Sequence, residues 1–315
     1  MTTCRAAAMT PPAPGAISIL QLHGDVHPIL QSLTGKDNWS PGDLRLCDLA
    51  GIDRGLVSVI SSNTAQVMPH GGVRIRQRLM GELESLGVQV DSTLEPSAAY
   101  PEAIDPIEAA ALAVMADAAS PLALDLLMRQ SERWSALDEW TEADDARSLR
   151  LNRLLVPPRV VVVGPANVGK SSLMNALAGR EVAITLDRPG TTRDFVAWPI
   201  ELGGLVVHWH DTPGRRASDD PIEQDAIELS ARLLETADMV ISVADPMSDW
   251  LTPDADLRLG LKCDLGLRPD ADVCVSAHTG EGIIELVECV REHLVPAADL
   301  ASTRPWRFPG LPTPM

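Results

Sequence analysis

The rhythm of apolar residues along this chain changes near Pro157-Pro158, and the change predicts two kinds of structure. Ahead of it, Ala16 to Leu22 is an apolar run following Pro14-Gly15. Leu44 to Leu49 and Leu56 to Ile60 repeat the pattern between Gly, Pro and Asp punctuation, which predicts strands. In Gly72 to Leu86 the residues Ile75, Leu79, Leu83 and Leu86 recur at three- and four-residue intervals, stacking on one face of a helix that Gly87 would stop. The first hundred residues therefore read as an α+β unit. Asp105 to Arg153 is rich in Ala and Leu with many charges and almost no Gly, which favours two helices broken near Ser120-Pro121. Pro157-Pro158 ends the helical material, because proline lacks the amide donor and restricts the residue before it.

From Val160 the pattern becomes strand, glycine loop, helix, strand, as in a parallel sheet covered by helices. Arg159 to Val163 is a β-branched run suited to a buried parallel strand. Asp194 to Ile200 and Leu205 to His210 flank Gly203-Gly204 as a hairpin. Ile222 to Thr236 reads as a helix, and Val273 to Val275 as a short strand. Between the strands Met239 to Ala244 and Leu257 to Leu261 only about a dozen residues remain for a crossover. The usual covering helix is therefore expected to shrink to a turn, leaving one sheet edge thinly protected. The tail from Val295 is Pro-rich and reads as irregular.

Charge narrows the choice of partner. The 315 residues hold 26 Lys plus Arg against 44 Asp plus Glu, a formal charge of −18. That argues against a general grip on nucleic-acid backbone, which needs clustered positive charge. Any RNA contact would be local or belong to a partner protein. Met1 to Gly15 has no signal-peptide core, and no run of about 20 apolar residues could span a bilayer, so a soluble, cytoplasmic protein without a membrane partner is expected. Five scattered cysteines (Cys4, Cys47, Cys263, Cys274, Cys289) form no CxxC pair and read as reduced thiols.

The candidate chemistry lies in the second half. Gly164-Pro-Ala-Asn-Val-Gly169-Lys170-Ser171 fits GxxxxGK[ST] between a strand and a helix. Its glycines let backbone N–H groups turn toward phosphate oxygens, and the helix starting at Lys170 adds its positive end. Gly164, Asn167, Val168, Gly169, Lys170, Ser171 and Ser172 are the candidate phosphate-loop contacts, with Lys170 on the β- and γ-phosphates and Ser171 on Mg²⁺. In Pro189-Gly-Thr-Thr-Arg-Asp194, Thr192 is the candidate that reaches Mg²⁺ and senses the γ-phosphate. Asp211-Thr-Pro-Gly214 is a DxxG arrangement in which Asp211 would hold the metal through water and the Gly214 N–H would feel the γ-phosphate. Lys262-Cys-Asp264 occupies an [NT]KxD slot. There Asp264 would accept from the guanine ring N–H and amino group while the Lys262 stem covers the base. The leading Asn or Thr is here Leu261, which loses polar contacts that brace the pocket. Ser276-Ala277-His-Thr-Gly280 fits the last base-contacting loop. In this order the motifs favour GTP over ATP and imply GTP hydrolysis to GDP and phosphate.

These residues resemble the tRNA modification GTPase family MnmE, also called TrmE. GPANVGKSSLMNALAGREVAI followed by DRPGTTRD and DTPG is similar to the family's G domain. The resemblance implies activation by K⁺ and by juxtaposition of two G domains, K⁺ supplying the charge that an arginine finger supplies elsewhere. On that reading Asn167 binds K⁺, a switch loop runs through Asp187 to Thr191, and Glu223 orients the attacking water. Arg215 stands where Ras-like enzymes have Gln and cannot position water in the same way. Glu223 as a plain surface residue at the start of its helix stays open. Further upstream, TPPAPGAISILQLHG and Pro69-His-Gly-Gly72 are similar to the family's folate-binding, dimerising domain. His70 is either a ligand contact or a turn histidine.

Three departures accompany the resemblance. Pro96 to Pro106 has no Arg or Lys where the family is basic, which counts against reduced folate as a cofactor. The family's long helical domain is reduced to the piece before Pro157. The C-terminal cysteine motif used for wobble-uridine modification is missing, and Arg304 to Met315 holds no cysteine. The expected organisation is an α+β domain at 1–100, a helical connector at 101–157, a P-loop GTPase domain of α/β class at 158–295 and a Pro-rich tail at 296–315. The implied partners are GTP or GDP, a second copy meeting through the N-terminal and G domains, an MnmG/GidA-like protein and tRNA. A GTP/GDP-binding switch or scaffold with little hydrolysis and no tRNA-modifying activity is the alternative, and a one-carbon-binding protein is a third.

Overall fold

The structure is a computed structural model that describes residues 4–178, 197–212 and 232–311. It divides into two compact units, 1–113 with 310–315, and 114–309.

The first unit is a six-stranded sheet carrying helices, built from β1 (Arg5–Ala8), β2 (Leu20–His23), α1 (Val26–Thr34), β3 (Leu44–Leu49), β4 (Asp53–Ser61), β5 (Thr64–Met68), α2 (Val73–Ser85), β6 (Gln89–Val90), α3 (Pro96–Ala99) and α4 (Pro106–Met115). The strand order is β3-β4-β5-β2-β1-β6, antiparallel throughout except for the parallel β1–β6 pair. Alternation along β4 buries Gly55, Val57 and Val59, as a period of two on a one-sided sheet requires. Val57 and Val59 join Leu20, Leu22, Leu30, Leu33, Leu79 and Leu83 in one core.

Helix α2 buries Leu79 and Leu83, with Ile75 and Leu86 packed at the rim, so the expected face is the one used. The expected strand from Ala16 forms a ladder only from Leu20. Upstream of that, the backbone is tied to the His70-Gly-Gly turn: Gly15 N–H donates to Gly71 O, Gly71 N–H to Ala16 O and Ser18 N–H to Pro69 O.

The second unit starts with three short helices, α5 (Leu122–Leu127), α6 (Gln130–Ser135) and α7 (Glu142–Leu151), and a 3₁₀ turn at Asn152–Leu154. The expected break at Ser120-Pro121 is present. A second interruption follows α6, where Thr141 and Asp144 form a capping box that restarts the chain as α7. The sheet contains β7 (Arg159–Val163), β8 (Ala197–Leu202), β9 (Leu205–Asp211), β10 (Met239–Ala244), β11 (Leu257–Leu261) and β12 (Val273–Val275), with α8 (Lys170–Ala178), α9 (Ile283–Leu294) and α10 (Ala297–Ala301). Its order is β12-β11-β10-β7-β9-β8. All pairs are parallel except the edge hairpin β8–β9, whose turn residues Gly203 and Gly204 have φ of +57° and +88°. Val160 to Val162 on β7 are fully buried at the sheet centre.

Residues 245–256 contain turns and no helix, as the short crossover predicts. In place of a covering helix, the Arg268 guanidinium lies 4.5 Å over the Trp250 ring and donates to Asp245 O at 2.8 Å. The tail, expected to be irregular, carries α10 and a fully buried Trp306. Trp306 N–H donates to Gln130 Oε1 at 2.7 Å, its indole N–H to Asn152 Oδ1 at 3.0 Å, and Arg150 pairs with Asp299 at 2.6 Å. The helical material is thus not confined to the piece before Pro157; the tail completes it. All five cysteines are free thiols, and burial pushes the Cys4 thiol up to about 11. No helix among the described residues is long and apolar enough to cross a membrane.

Candidate nucleotide-binding site

The site lies at the carboxyl ends of β7, β9, β10, β11 and β12, where open α/β sheets place their ligands. The buried strand β7 delivers the chain into the loop 164–169. At Gly164 an added Cβ would stand 2.5 Å from Val243 O, so only glycine lets the loop leave β7 hard against β10. The loop then bends through left-handed conformations at Asn167 (φ +65°) and Gly169 (φ +117°) before α8 begins at Lys170.

Lys170 Nζ folds over this loop, 3.1 Å from Gly164 O and 3.0 Å from Pro165 O. Burial lowers its pKa, opposed by the Asp211 charge. Ser171 Oγ donates to Asp211 Oδ2 at 3.3 Å. Thr212, by donating its hydroxyl to Val162 O at 2.8 Å, extends the β7–β9 pairing and fixes Asp211 beside the loop. Burial raises the Asp211 pKa, countered by Lys170 and the Ser171 hydroxyl. Its Oδ1 is buried and has no hydrogen-bond partner among the described residues. A hydroxyl next to a carboxylate with one uncommitted buried oxygen is a hard-oxygen donor set, which fits Mg²⁺.

Beside the loop is a pocket of about 160 Å³ lined by Val168, Gly169, Ser172, Leu261, Lys262, Asp264, Ser276, Ala277 and His278. Lys262 adopts φ +58° and stretches back across the phosphate loop, donating to Asn167 O at 3.3 Å and to Asp245 Oδ2 at 2.8 Å. Asp264 is exposed at the mouth. Ser276 is buried; its Oγ accepts from Thr279 N–H at 3.1 Å and its N–H donates to Glu281 O at 3.0 Å. Those two bonds curl the loop that carries Ala277. Leu261 is buried, and its Cδ1 would lie 3.7 Å from a Cβ placed on Gly169.

The fold thus gathers Gly164, Asn167, Val168, Gly169, Lys170, Ser171, Ser172, Asp211, Lys262, Asp264, Ser276 and Ala277 in one region. Thr192, Gly214, Arg215, Glu223 and the loop Asp187 to Thr191 lie outside the described residues. Two further residues join the predicted set: His278, which lies within the predicted loop Ser276 to Gly280 and lines the pocket, and Asp245, which immediately follows β10. For Asp245 the signal was available, since a charged residue at the carboxyl end of a central parallel strand sits at the ligand edge. In the first unit, His70 has a largely exposed ring paired with Asp53 at 2.9 Å, and its backbone N–H donates to Asp53 Oδ2 at 2.8 Å.

A phosphate loop, an acidic residue at the end of the adjoining strand and a base-sized pocket on one mostly parallel sheet define a P-loop GTPase. Residues 159–262 match the family described as 50S ribosome-binding GTPase. The chain is 32% identical over 339 aligned positions to the tRNA modification GTPase MnmE of Acidiphilium cryptum, covering 88% of this chain and 78% of that protein. It belongs to the tRNA modification GTPase MnmE family. Against the same protein of a Synechococcus species (strain CC9605) it is 34% identical over 258 positions, 78% of this chain but 49% of that one. The chain thus spans about half the length of some relatives it matches. Among solved structures, a variant of Era from Aquifex aeolicus bound to GDP·AlF₄⁻ aligns at 26% identity and a TM-score of 0.33, over 44% of this chain and 56% of that one.

Proposed function

We propose that this chain binds GTP with Mg²⁺ and hydrolyses it by water attack on the γ-phosphate, with K⁺ as activator. Lys170 would neutralise the β- and γ-phosphates; Ser171, Thr192 and Asp211 would hold Mg²⁺, and Asn167 would hold K⁺. Glu223 would orient the water while the Gly214 N–H meets the γ-phosphate. When bound, the two cations supply charge neutralisation on the transferring phosphoryl group. One observation supports this reading above the others: Lys170, Ser171 and the uncommitted oxygen of Asp211 sit together beside a pocket of about 160 Å³ that carries Asp264. The test is GTP turnover in KCl against NaCl. Equal rates in the two salts reject the K⁺ role, and no turnover with GTP rejects hydrolysis.

A second reading, a GTP/GDP-binding switch or scaffold with little hydrolysis, draws support from the buried Leu261 and the helix-free crossover. Nucleotide retained through purification, with negligible turnover after forced dimerisation, would favour it. The relatives are named for tRNA modification, which motivates tRNA, an MnmG/GidA-like protein and a second copy as cytoplasmic partners. Identifying the RNA and protein that co-purify tests that role. We carry the division at 100, 157 and 295 as functional domains in the same spirit. A reduced-folate titration without signal removes the one-carbon reading of the N-terminal domain.

A further inference from the structure

We infer that Asp245 is a positioning residue for guanine recognition, holding the Lys262 ammonium against the phosphate loop and so supplying the bracing that Leu261 cannot. The inference rests on the base-pocket reading above and deepens it.

Three segments far apart in sequence meet at one ammonium group. Lys262 Nζ donates to Asp245 Oδ2 at 2.8 Å and to Asn167 O at 3.3 Å, joining the ends of β10 and β11 to the bend of the phosphate loop. Both loop residues sit in left-handed backbone, Asn167 at φ +65° and Lys262 at φ +58°. Non-glycine residues hold such a conformation only where their surroundings fix it. Position 261 makes no contribution of this kind, because Leu261 is buried and offers neither donor nor acceptor.

Asp245 is itself pre-set for the task. Its Oδ1 accepts from Met247 N–H at 3.1 Å, its own N–H donates to Ser248 Oγ at 2.9 Å, and its carbonyl receives Arg268 at 2.8 Å. The Lys262 hydrogen bond, before any other cause, keeps its carboxyl below the usual aspartate range. The carboxylate is 17% exposed and the lysine side chain 38%. Without the carboxylate the ammonium is therefore free to turn to water. Its stem would then leave the pocket wall, and Asp264, two residues on, would lose its fixed distance to the base.

A residue that only kept the crossover folded would affect all nucleotides alike. One that sets the base-reading loop affects most the ligand that uses Asp264 fully. GDP carries the exocyclic amino group that a carboxylate can bind, and IDP lacks it. We would measure GDP and IDP affinities for the full chain and for Asp245→Ala, Asp245→Asn and Asp245→Glu, with thermal unfolding of each. The expected result is about a tenfold loss of GDP affinity in Asp245→Ala, as for a lost charge-assisted hydrogen bond. The GDP/IDP preference should fall with it and return in part in Asp245→Glu. If Asp245→Ala does not fold, the near-isosteric Asp245→Asn carries the same comparison, with a smaller shift. Unchanged GDP affinity, or equal losses for GDP and IDP, overturns the inference. Failure of the unmodified chain to bind GDP overturns the base-pocket reading instead.

Discussion

Ser171 Oγ and Asp211 Oδ2 meet at 3.3 Å, while the second oxygen of that carboxylate is buried without a partner among the described residues. Burial raises the Asp211 pKa above its unfolded value. A carboxyl shifted in that direction costs the folded state nothing below the ordinary range near pH 4 and destabilises it as pH rises from there through the folded pKa. Stability without metal should therefore fall with pH in that window. Asp211→Asn should remove the slope and stabilise the metal-free protein at neutral pH by about 1 kcal/mol, roughly 2–4 °C in Tm. The same variant should lose the Mg²⁺-dependent part of nucleotide stabilisation. Thermal unfolding across pH, with and without Mg²⁺ and GDP, checks both; a variant that keeps the Mg²⁺ effect contradicts the assignment.

Lys170 bonds to two loop carbonyls and has its pKa lowered by burial. A partly desolvated cation with no carboxylate hydrogen bond among the described residues is held at a cost to the fold. Lys170→Ala should leave Tm unchanged or slightly higher while weakening GTP binding by about 100-fold, the scale of one or two lost charge-assisted hydrogen bonds. Fluorescent-nucleotide titration beside a melting curve separates the two effects. A large drop in Tm would mean the ammonium is there to hold the loop together.

How much of this could be read from the chain follows from the range of the interactions involved. The strand Arg159–Val163, the hairpin at Gly203-Gly204 and the strands around the short crossover are local patterns, and they form where the β-branched runs and glycines predict. Strand β1 leaves no pattern in the sequence, because Ala6 to Ala8 are too small to make a hydrophobic signal. Likewise, the loss at Leu261 was visible as a missing polar residue. The contact between Lys262 and Asp245 was not, although Asp245 itself stands at the ligand edge, because that contact exists only once β10 and β11 lie side by side. The tail misled for the same reason: proline content reports backbone restriction, whereas Trp306 finds its partners more than 150 residues away.

If Asp264 reads guanine through the ring N–H and the amino group, the carboxylate can be exchanged for its amide with a defined result. Xanthine carries a carbonyl where guanine has the amino group, so a side chain offering one donor and one acceptor suits it better. Asp264→Asn should bind GDP at least about tenfold more weakly and xanthosine diphosphate correspondingly better, since a site built on paired hydrogen bonds rejects a base that leaves them unmade. Competition between the two diphosphates measures the exchange. Loss of both nucleotides together would instead indicate that the loop had collapsed.

The docked tail makes a prediction independent of any nucleotide. Asp144 is fully buried between Thr141, Arg147 and Arg304, with Arg147 at 2.9 Å. The Arg304 hydrogen bond is the largest cause holding its carboxyl far below the usual range, and Thr141 adds to it against the opposing effect of burial. For a carboxyl depressed in this way, the stabilisation is complete above the unfolded value near 4 and is lost as pH falls below it toward the folded value. Removing the carboxylate takes the shared anion from two neighbouring guanidinium groups, leaving Arg147 on the Ser302 hydroxyl and the Pro305 carbonyl and Arg304 on the Glu139 carbonyl. Asp144→Ala should therefore cost about 3–5 kcal/mol at neutral pH, as breaking a buried pair does. Asp144→Asn should lose much of the acid sensitivity of unfolding below pH 4. Tryptophan fluorescence is a direct probe, because Trp306 is buried in the docked tail and Trp134 of α6 stacks at 5.1 Å on Trp140, in the link between α6 and α7. An Asp144→Ala protein with unchanged emission and Tm would show that the apolar burial of Trp306 and Phe308 holds the tail without the ion pairs.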